Sequence, residues 1–331
     1  MRKSMIAILA LLLIAALIGC SFDSLEGYKN AVKKTDQIKK GRTEGEFSLV
    51  MDFNTEKMTE EQIKELNYVR NMKGSFNVAY DDEMEKGIFR NYLNMGGLGF
   101  DLDLFVNGEE MFMKLPVIGK YMRLSEMKEY MIGTPEEDLR FVDRKTQDAI
   151  NAKWLGLLKK EDIFKGKAIV LTTPDGEVKT TEYTIILNDE QIKDLAMYSM
   201  DMLYKDEKLK ESYEKYISKN IESLKDTSPE ELFSDMKESI KNYTVESFGY
   251  TAYVDIDGYI VNEMVEITFE VDNAEPGAVT RVSYELNIKN WDINKGQEFD
   301  FPALTDENTV DMDNMEQNMP FKIEALFNKK D

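Results

Sequence analysis

Val265-Glu266-Ile267-Thr268-Phe269-Glu270-Val271, late in a chain of 331 residues, decides the fold class. Successive side chains of a strand point to opposite faces. Val265, Ile267, Phe269 and Val271 therefore go one way, and Glu266, Thr268 and Glu270 the other. Val282, Tyr284, Leu286 and Ile288 repeat the alternation. Asp257-Gly258 and Pro276-Gly277 are turn pairs that divide the region into Val245–Asp255, Tyr259–Val271 and Val279–Lys289. Alternation of this kind belongs to an antiparallel sheet with one wet face and one buried face.

The front of the chain reads similarly. Ser24 to Lys40 is predicted as a helix with Leu25, Tyr28, Val32 and Thr35 on one stripe and Gly41 as its stop. Phe47, Leu49, Met51 and Phe53 alternate in a first strand, and Thr59-Glu60-Glu61-Gln62 is a capping box for a helix to Arg70. Ser75–Asp81, Lys86–Asn94, Leu98–Val106, Glu109–Leu115 and Tyr121–Leu124 read as further strands. Asn107-Gly108, between two alternating runs, predicts a tight hairpin with both residues at positive φ. Helices are predicted from Thr134-Pro135, over Gln147–Leu158, and over Asp189–Tyr204, Glu207–Lys225 and Pro229–Asn242. Two strands, Ala168–Thr172 and Val178–Leu187, meet across Pro174-Asp175-Gly176. With strands at both ends and helices between, the expected class is α+β. The architecture is a curved antiparallel sheet, an unclosed half-barrel, covering a group of helices on its concave face.

The first residues have a different character. Met1-Arg2-Lys3 is a short basic segment, and Met5 to Ile18 is an apolar run of 14 residues. A membrane-spanning helix needs about 20 residues, so this run fits the core of an export signal. It ends Leu17-Ile18-Gly19-Cys20, and Cys20 is the chain's one cysteine. That ending resembles the lipobox of bacterial lipoprotein signals. The resemblance implies cleavage between Gly19 and Cys20 and a diacylglyceryl group on the Cys20 thiol. Residues 1–19 are then a cleaved signal, 20–23 an anchor and tether, 24–290 a single domain, and 291–331 an acidic, partly irregular tail. The implied location is the outer face of the cell membrane.

Loss of Arg2 and Lys3 with the signal takes the formal charge from −21 to −23. Such a surface repels nucleic acid and anionic headgroups, so lipid on Cys20, not a basic patch, would hold the membrane. With one cysteine there is no intrachain disulfide. With no histidine, Ser-His-Asp and Cys-His catalysis and His-ligated zinc or haem are excluded. No cofactor is expected.

The layout looks like the lipoprotein-carrier fold of the LolA/LolB carriers and the LppX/LprG lipid-binding lipoproteins. It is also similar to lipoproteins of Gram-positive bacteria that share this plan. The residues that carry the likeness are Cys20, the helix Leu25–Lys40, and the hairpin Asn107-Gly108 running into Met111-Phe112-Met113-Lys114-Leu115-Pro116 and Gly119-Lys120-Tyr121. Asp255-Ile256-Asp257-Gly258-Tyr259-Ile260 and Phe301-Pro302-Ala303-Leu304-Thr305 complete it. The resemblance implies acyl chains held between sheet and helices, and the motifs matched are structural turns.

Candidate chemistry is sparse. Asp189–Tyr204 is apolar nearly all round, which predicts a buried helix. Ile192, Leu195, Met197, Met200 and Leu203 would either line a ligand cavity or fill the core. The 20 methionines suit an adaptable pocket or an ordinary core equally. Asp101/Asp103, Asp255/Asp257 and Asp311/Asp313 lack the spacing of a calcium loop. Gly96-Gly97-Leu98-Gly99 lacks the Lys-Ser/Thr of a phosphate loop and reads as a turn. The expected function is binding of a lipid or an acylated ligand, without enzymatic activity. The alternatives are an interaction lipoprotein with a filled core, or a cell-wall hydrolase working through two carboxylates.

Overall fold

The computed structural model describes residues 24–114, 119–123, 142–213, 228–271 and 276–310. Gly19 and Cys20, the helix expected from Thr134, and Asp311/Asp313 lie outside them. Helix α1 (Ser24–Thr35) leads into β1 (Lys40–Phe53), α2 (Glu60–Arg70), β2 (Asn71–Asp81), β3 (Lys86–Met95), β4 (Leu98–Asn107), β5 (Glu110–Lys114) and β6 (Tyr121–Arg123). Helix α3 (Arg144–Leu157) and a short 3₁₀ turn precede β7 (Ile163–Thr173) and β8 (Gly176–Ile185). Helices α4 (Asp189–Tyr204), α5 (Glu207–Ser212) and α6 (Pro229–Asn242) come next. The chain closes with β9 (Tyr243–Asp255), β10 (Ile260–Val271), β11 (Val279–Trp291) and β12 (Thr309–Val310).

The twelve strands of the described residues form one sheet in the order β12-β6-β5-β4-β3-β2-β1-β11-β10-β9-β8-β7. Pairing is antiparallel except between β12 and β6. The two ends of the order stay unjoined, giving the curved, unclosed α+β half-barrel expected. Its curvature is plain at one end. β7 and β11 stand four strands apart, roughly 19 Å in a flat sheet. Yet Asp175, between β7 and β8, pairs with Lys295 at 3.1 Å just beyond β11.

The register sorts the side chains. Tyr183, Ala252, Glu263, Ile288, Gly45 and Phe76 lie in one transverse row, strand by strand. Ile185, Tyr250, Val265, Leu286, Phe47 and Gly74 form the next row on the same face. The helices pack on this inner face. Tyr28 of α1 is 1% exposed, its ring 5.9 Å from that of Tyr250 and 6.3 Å from that of Tyr183. Gly27 permits the approach, because a Cβ there would stand 2.7 Å from the Tyr183 hydroxyl. Leu158, Ile163, Ile185, Leu187, Ile192 and Ala252 complete this core.

Several elements depart from the sequence reading. Helix α1 stops at Thr35 rather than Lys40, because Lys40 pairs with Asp81 in the sheet. Thr35 Oγ1 also accepts a bond from Ile260 N at 2.9 Å, fixing the helix end. Gly41 is thus a strand residue lying close against the Trp291 carbonyl. Asn107 pairs with Glu110, so the hairpin turn is Gly108-Glu109, with only Gly108 at positive φ (60°). Glycine at the first central position is the type II′ solution. Gly96 and Gly97 make a turn, at φ 56° and 91°. The chain beyond Trp291 packs on the outer face: Phe299, Phe301 and Leu304 cover Ile88, Phe105, Phe112 and Tyr121. It then returns as β12 beside β6.

Candidate functional site

The inner face has two halves. Helices α1, α3, α4 and α6 serve the half formed by β7–β10, while α2 meets β1, β2 and β3 at one end. On β11 and β1–β4 the inward positions are Val282, Tyr284, Leu286 and Ile288; Phe47, Leu49 and Met51; Met72, Phe76 and Val78; Phe89, Leu93 and Met95; and Leu98, Phe100, Leu102 and Leu104. Thr43, Asn290, Asn91 and the hydroxyls of Tyr80 and Tyr284 are the polar groups among them. Most of these apolar side chains are half-buried, and Leu98 and Leu102 are 52% and 42% exposed. The rows run on into a buried cluster of Val106, Met111 and Met122 at the β4–β6 end. They form an apolar trough about 20 Å along the strands, the six-residue span of Val282–Ile288 or Phe89–Met95, and roughly 19 Å across five strands.

Two glycines shape its floor. Gly45 pairs with Phe76 and Gly74 with Phe47, so each ring lies over the glycine of the neighbouring strand. A Cβ on Gly74 would meet Phe47 Cζ at 2.5 Å and the Tyr92 carbonyl at 2.8 Å; one on Gly45 would meet Phe76 Cε2 at 2.9 Å. The rings fill the notches and leave the floor smooth.

Where the trough meets the helical half, a polar cluster is built in. Glu263 is the one carboxylate in the inward positions of β10, and it accepts a hydrogen bond from the Tyr250 hydroxyl. Tyr28 lies against Tyr250, and its own hydroxyl accepts from Trp154 Nε1 at 3.1 Å. Burial raises the Glu263 carboxyl above the usual range, partly offset by the Tyr250 bond, and Asp36 adds to the rise. Burial followed by the charge of Asp148 raises Asp36 as well. Burial drives both tyrosine hydroxyls upward. All three aromatic or acidic partners therefore stay neutral more readily than in water, which suits a site next to hydrocarbon.

The outer face is different in kind. Glu44, Glu46, Arg90, Asp101, Asp103 and Lys114 line a shallow polar groove there. Asp101 and Asp103 sit on this solvated face, and the Asp255 carboxylate is engaged by Tyr259 N at 2.8 Å within its own turn. No group of three or more potential metal-ligating side chains occurs among the described residues.

Helix α4 does not supply the trough. It packs between α3 and α6 and touches the sheet at β9, where Val245 N donates to Asp189 Oδ1 at 2.8 Å. Ile192 is buried in the core beneath it, whereas Leu195, Met197, Met200 and Leu203 are half-exposed. The expectation of a buried helix fails because α4 belongs to an outer layer, with Lys193, Asp194 and Asp201 turned to ion pairs. The residues that build the apolar surface come from strands instead. Their alternation was the available signal, but the width of the surface follows only from the pairing of β1 with β11.

No protein-family model matches the sequence, and no curated protein matches it. Among solved structures, the chain is similar to a LolA superfamily protein from Nitrosomonas europaea, at 8% identity over 84% of this chain and 94% of that one, with a TM-score of 0.21. It is also similar to a lipovitellin described for its lipid–protein interactions, at 8% identity over 81% of this chain and 26% of that one, with a TM-score of 0.25. A β-barrel-like protein of a domain of unknown function, DUF1849, from Brucella abortus aligns at 9% identity over 77% and 100%, with a TM-score of 0.17. The reading of the site rests on the register and burial of this chain's own residues.

Proposed function

We propose that this chain is an extracytoplasmic lipoprotein, anchored by lipid on Cys20, that binds the acyl chains of a lipid or acylated ligand against its inner sheet face. It acts by burial, not by catalysis. The observation that carries the reading is the trough: inward rows of β11 and β1–β4 that are apolar and half-exposed. An exposed apolar surface of this breadth marks a binding face. Its dimensions fit the guest, since one acyl layer of a bilayer is about 15 Å deep, half of a roughly 30 Å hydrocarbon core. Each methylene fully removed from water contributes about 0.8 kcal/mol. Two acyl chains on Cys20 would hold the membrane where a single chain holds weakly.

Two measurements test the proposal. Solvent extraction of purified protein carrying residues 21–331, followed by lipid mass spectrometry, should give a stoichiometric amphiphile. An empty protein that also fails to take up added lipid would refute the binding reading. Growth with an alkyne fatty acid should label the full chain and not Cys20→Ala; equal labelling of both would refute the anchor.

A further inference from the structure

Arg70, the last residue of α2, stands where the helix passes into β2, two residues before Met72 of the inward row. Its Nε is buried and has no hydrogen-bond partner. No acidic side chain pairs with its guanidinium among the described residues, although Lys40, Lys153, Lys237 and Arg281 all have carboxylate partners. What sets Arg70 apart is this Nε: no other buried side-chain nitrogen or oxygen among the described residues is without a hydrogen bond. A favourable place for a cation at a helix C-terminus explains why a basic residue suits α2 there. It does not explain why a donor of that group is sealed from water with nothing to accept it, which carries an energetic penalty.

The helix that carries it is held at both ends. Thr59 and Gln62 cap the start of α2 reciprocally. Its end lies against the β3–β4 turn, where a Cβ on Gly96 would stand 2.6 Å from Tyr68 Cα. Tyr68, Val69 and Leu98 are exposed around the same end. We infer that Arg70 is the headgroup site of the trough, and that the ligand is an amphiphile with an anionic, phosphate- or carboxylate-type head. The inference rests on the proposed binding function. A guanidinium meets such a group with two parallel N–H···O bonds, and Nε is one of the donors of that fork. The acidic surface repels anions in general, so capture at Arg70 requires the chain of the same ligand to be held on the neighbouring rows.

The test is isothermal titration of the full mature chain with three probes below their micelle-forming concentrations: dodecyl phosphate, dodecyl maltoside and inorganic phosphate. Dodecyl phosphate should bind at least ten-fold more tightly than dodecyl maltoside, and inorganic phosphate should give no measurable heat. R70Q should lower dodecyl phosphate to the level of the maltoside without changing the latter. R70K keeps the charge but lacks Nε and should recover only part of the difference. Equal binding of the two amphiphiles by the native chain, or unchanged selectivity in R70Q, overturns the headgroup site and leaves the trough standing. Inorganic phosphate binding as tightly as dodecyl phosphate also overturns it, since the anion site would then be independent of the chain. Failure of both amphiphiles to bind removes the binding function itself. If circular dichroism shows R70Q unfolded, the native selectivity and R70K decide the matter.

Discussion

The ring-over-glycine pairs give the sharpest quantitative test. In Gly74→Ala, the new Cβ would stand 2.5 Å from Phe47 Cζ and 2.8 Å from the Tyr92 carbonyl. The ring can swing away, but the carbonyl belongs to β3 and is held by the sheet. Overpacking of this kind costs about 1–3 kcal/mol. Restriction of the unfolded chain by alanine returns about 0.4–1 kcal/mol, so a net loss of about 1–2 kcal/mol is expected. Phe47→Ala removes a half-buried ring, roughly half the penalty of about 3–5 kcal/mol seen for fully buried phenylalanines. The double variant should be destabilised by less than the sum, because alanine at 74 then meets the Tyr92 carbonyl but no Phe47 ring. Urea unfolding of all four chains at one temperature measures the cycle. Additivity within about 0.5 kcal/mol would refute the claim that Phe47 occupies the space over Gly74. Gly45→Ala should be milder, since the three atoms nearest its new Cβ all belong to the Phe76 ring, which can swing away.

Other expectations follow from named contacts. Burial holds Glu263 protonated to higher pH in the folded chain than its ordinary value of 4.5. The stability this provides is full below 4.5 and is lost as pH rises through the raised folded value. Glu263→Gln removes that loss, so the variant's stability relative to the native chain should grow from pH 4.5 upward and then level off; a constant difference across the range would refute it. Asp206, 3% exposed, caps α5 at Leu209 N (3.0 Å) and accepts from Asp143 N at 2.8 Å, so Asp206→Ala should cost about 2 kcal/mol in a thermal or urea melt. Leu286→Lys places a charge mid-trough and should abolish uptake of dodecyl maltoside while the circular dichroism stays native. Binding that survives this change would move the site elsewhere.

Much of the sheet could be read from the chain itself, since local chemistry sets it. Asp257-Gly258 and Pro276-Gly277 make the expected turns, with Gly258 and Gly277 at φ 86° and 87°. Thr59-Gln62 forms the expected capping box, and Ser228 caps the helix expected from Pro229. What escaped depends on partners remote in sequence. Glu263 lies two residues before Val265 on the same face, so its inward position was implicit in the alternation, but the Tyr250 hydroxyl that accommodates it comes from another strand. The apolar character of α4 suggested burial, and only the packing of α3 and α6 around it shows an outer layer. Phe299 and Phe301 looked like part of an acidic tail because the rings they cover, Phe105 and Phe112, lie almost two hundred residues earlier. Arg70 carries no sequence signal, because its distinction is the absence of an acceptor.

The strand order has a consequence for how the molecule comes into being. β2 to β6 follow one another on one side of β1, and β11 back to β7 follow one another on the other. Each arm pairs strands that follow one another in the chain, β8 and β9 across the helices α4 to α6, and can assemble from its own stretch of chain. Within the sheet the pairing of β1 with β11, Arg42 opposite Trp291, joins them, and the short β12 beside β6 adds a second link. That closure spans most of the polypeptide, and contacts so distant in sequence form slowly. For a chain threaded through a membrane from its N-terminus, β1 would wait until β11 had emerged. The apolar floor crosses this junction, with Phe47 beside Leu286 and Leu49 beside Tyr284. An incompletely delivered chain would therefore have two half-sheets, each with an open edge, and no continuous surface on which to hold a ligand.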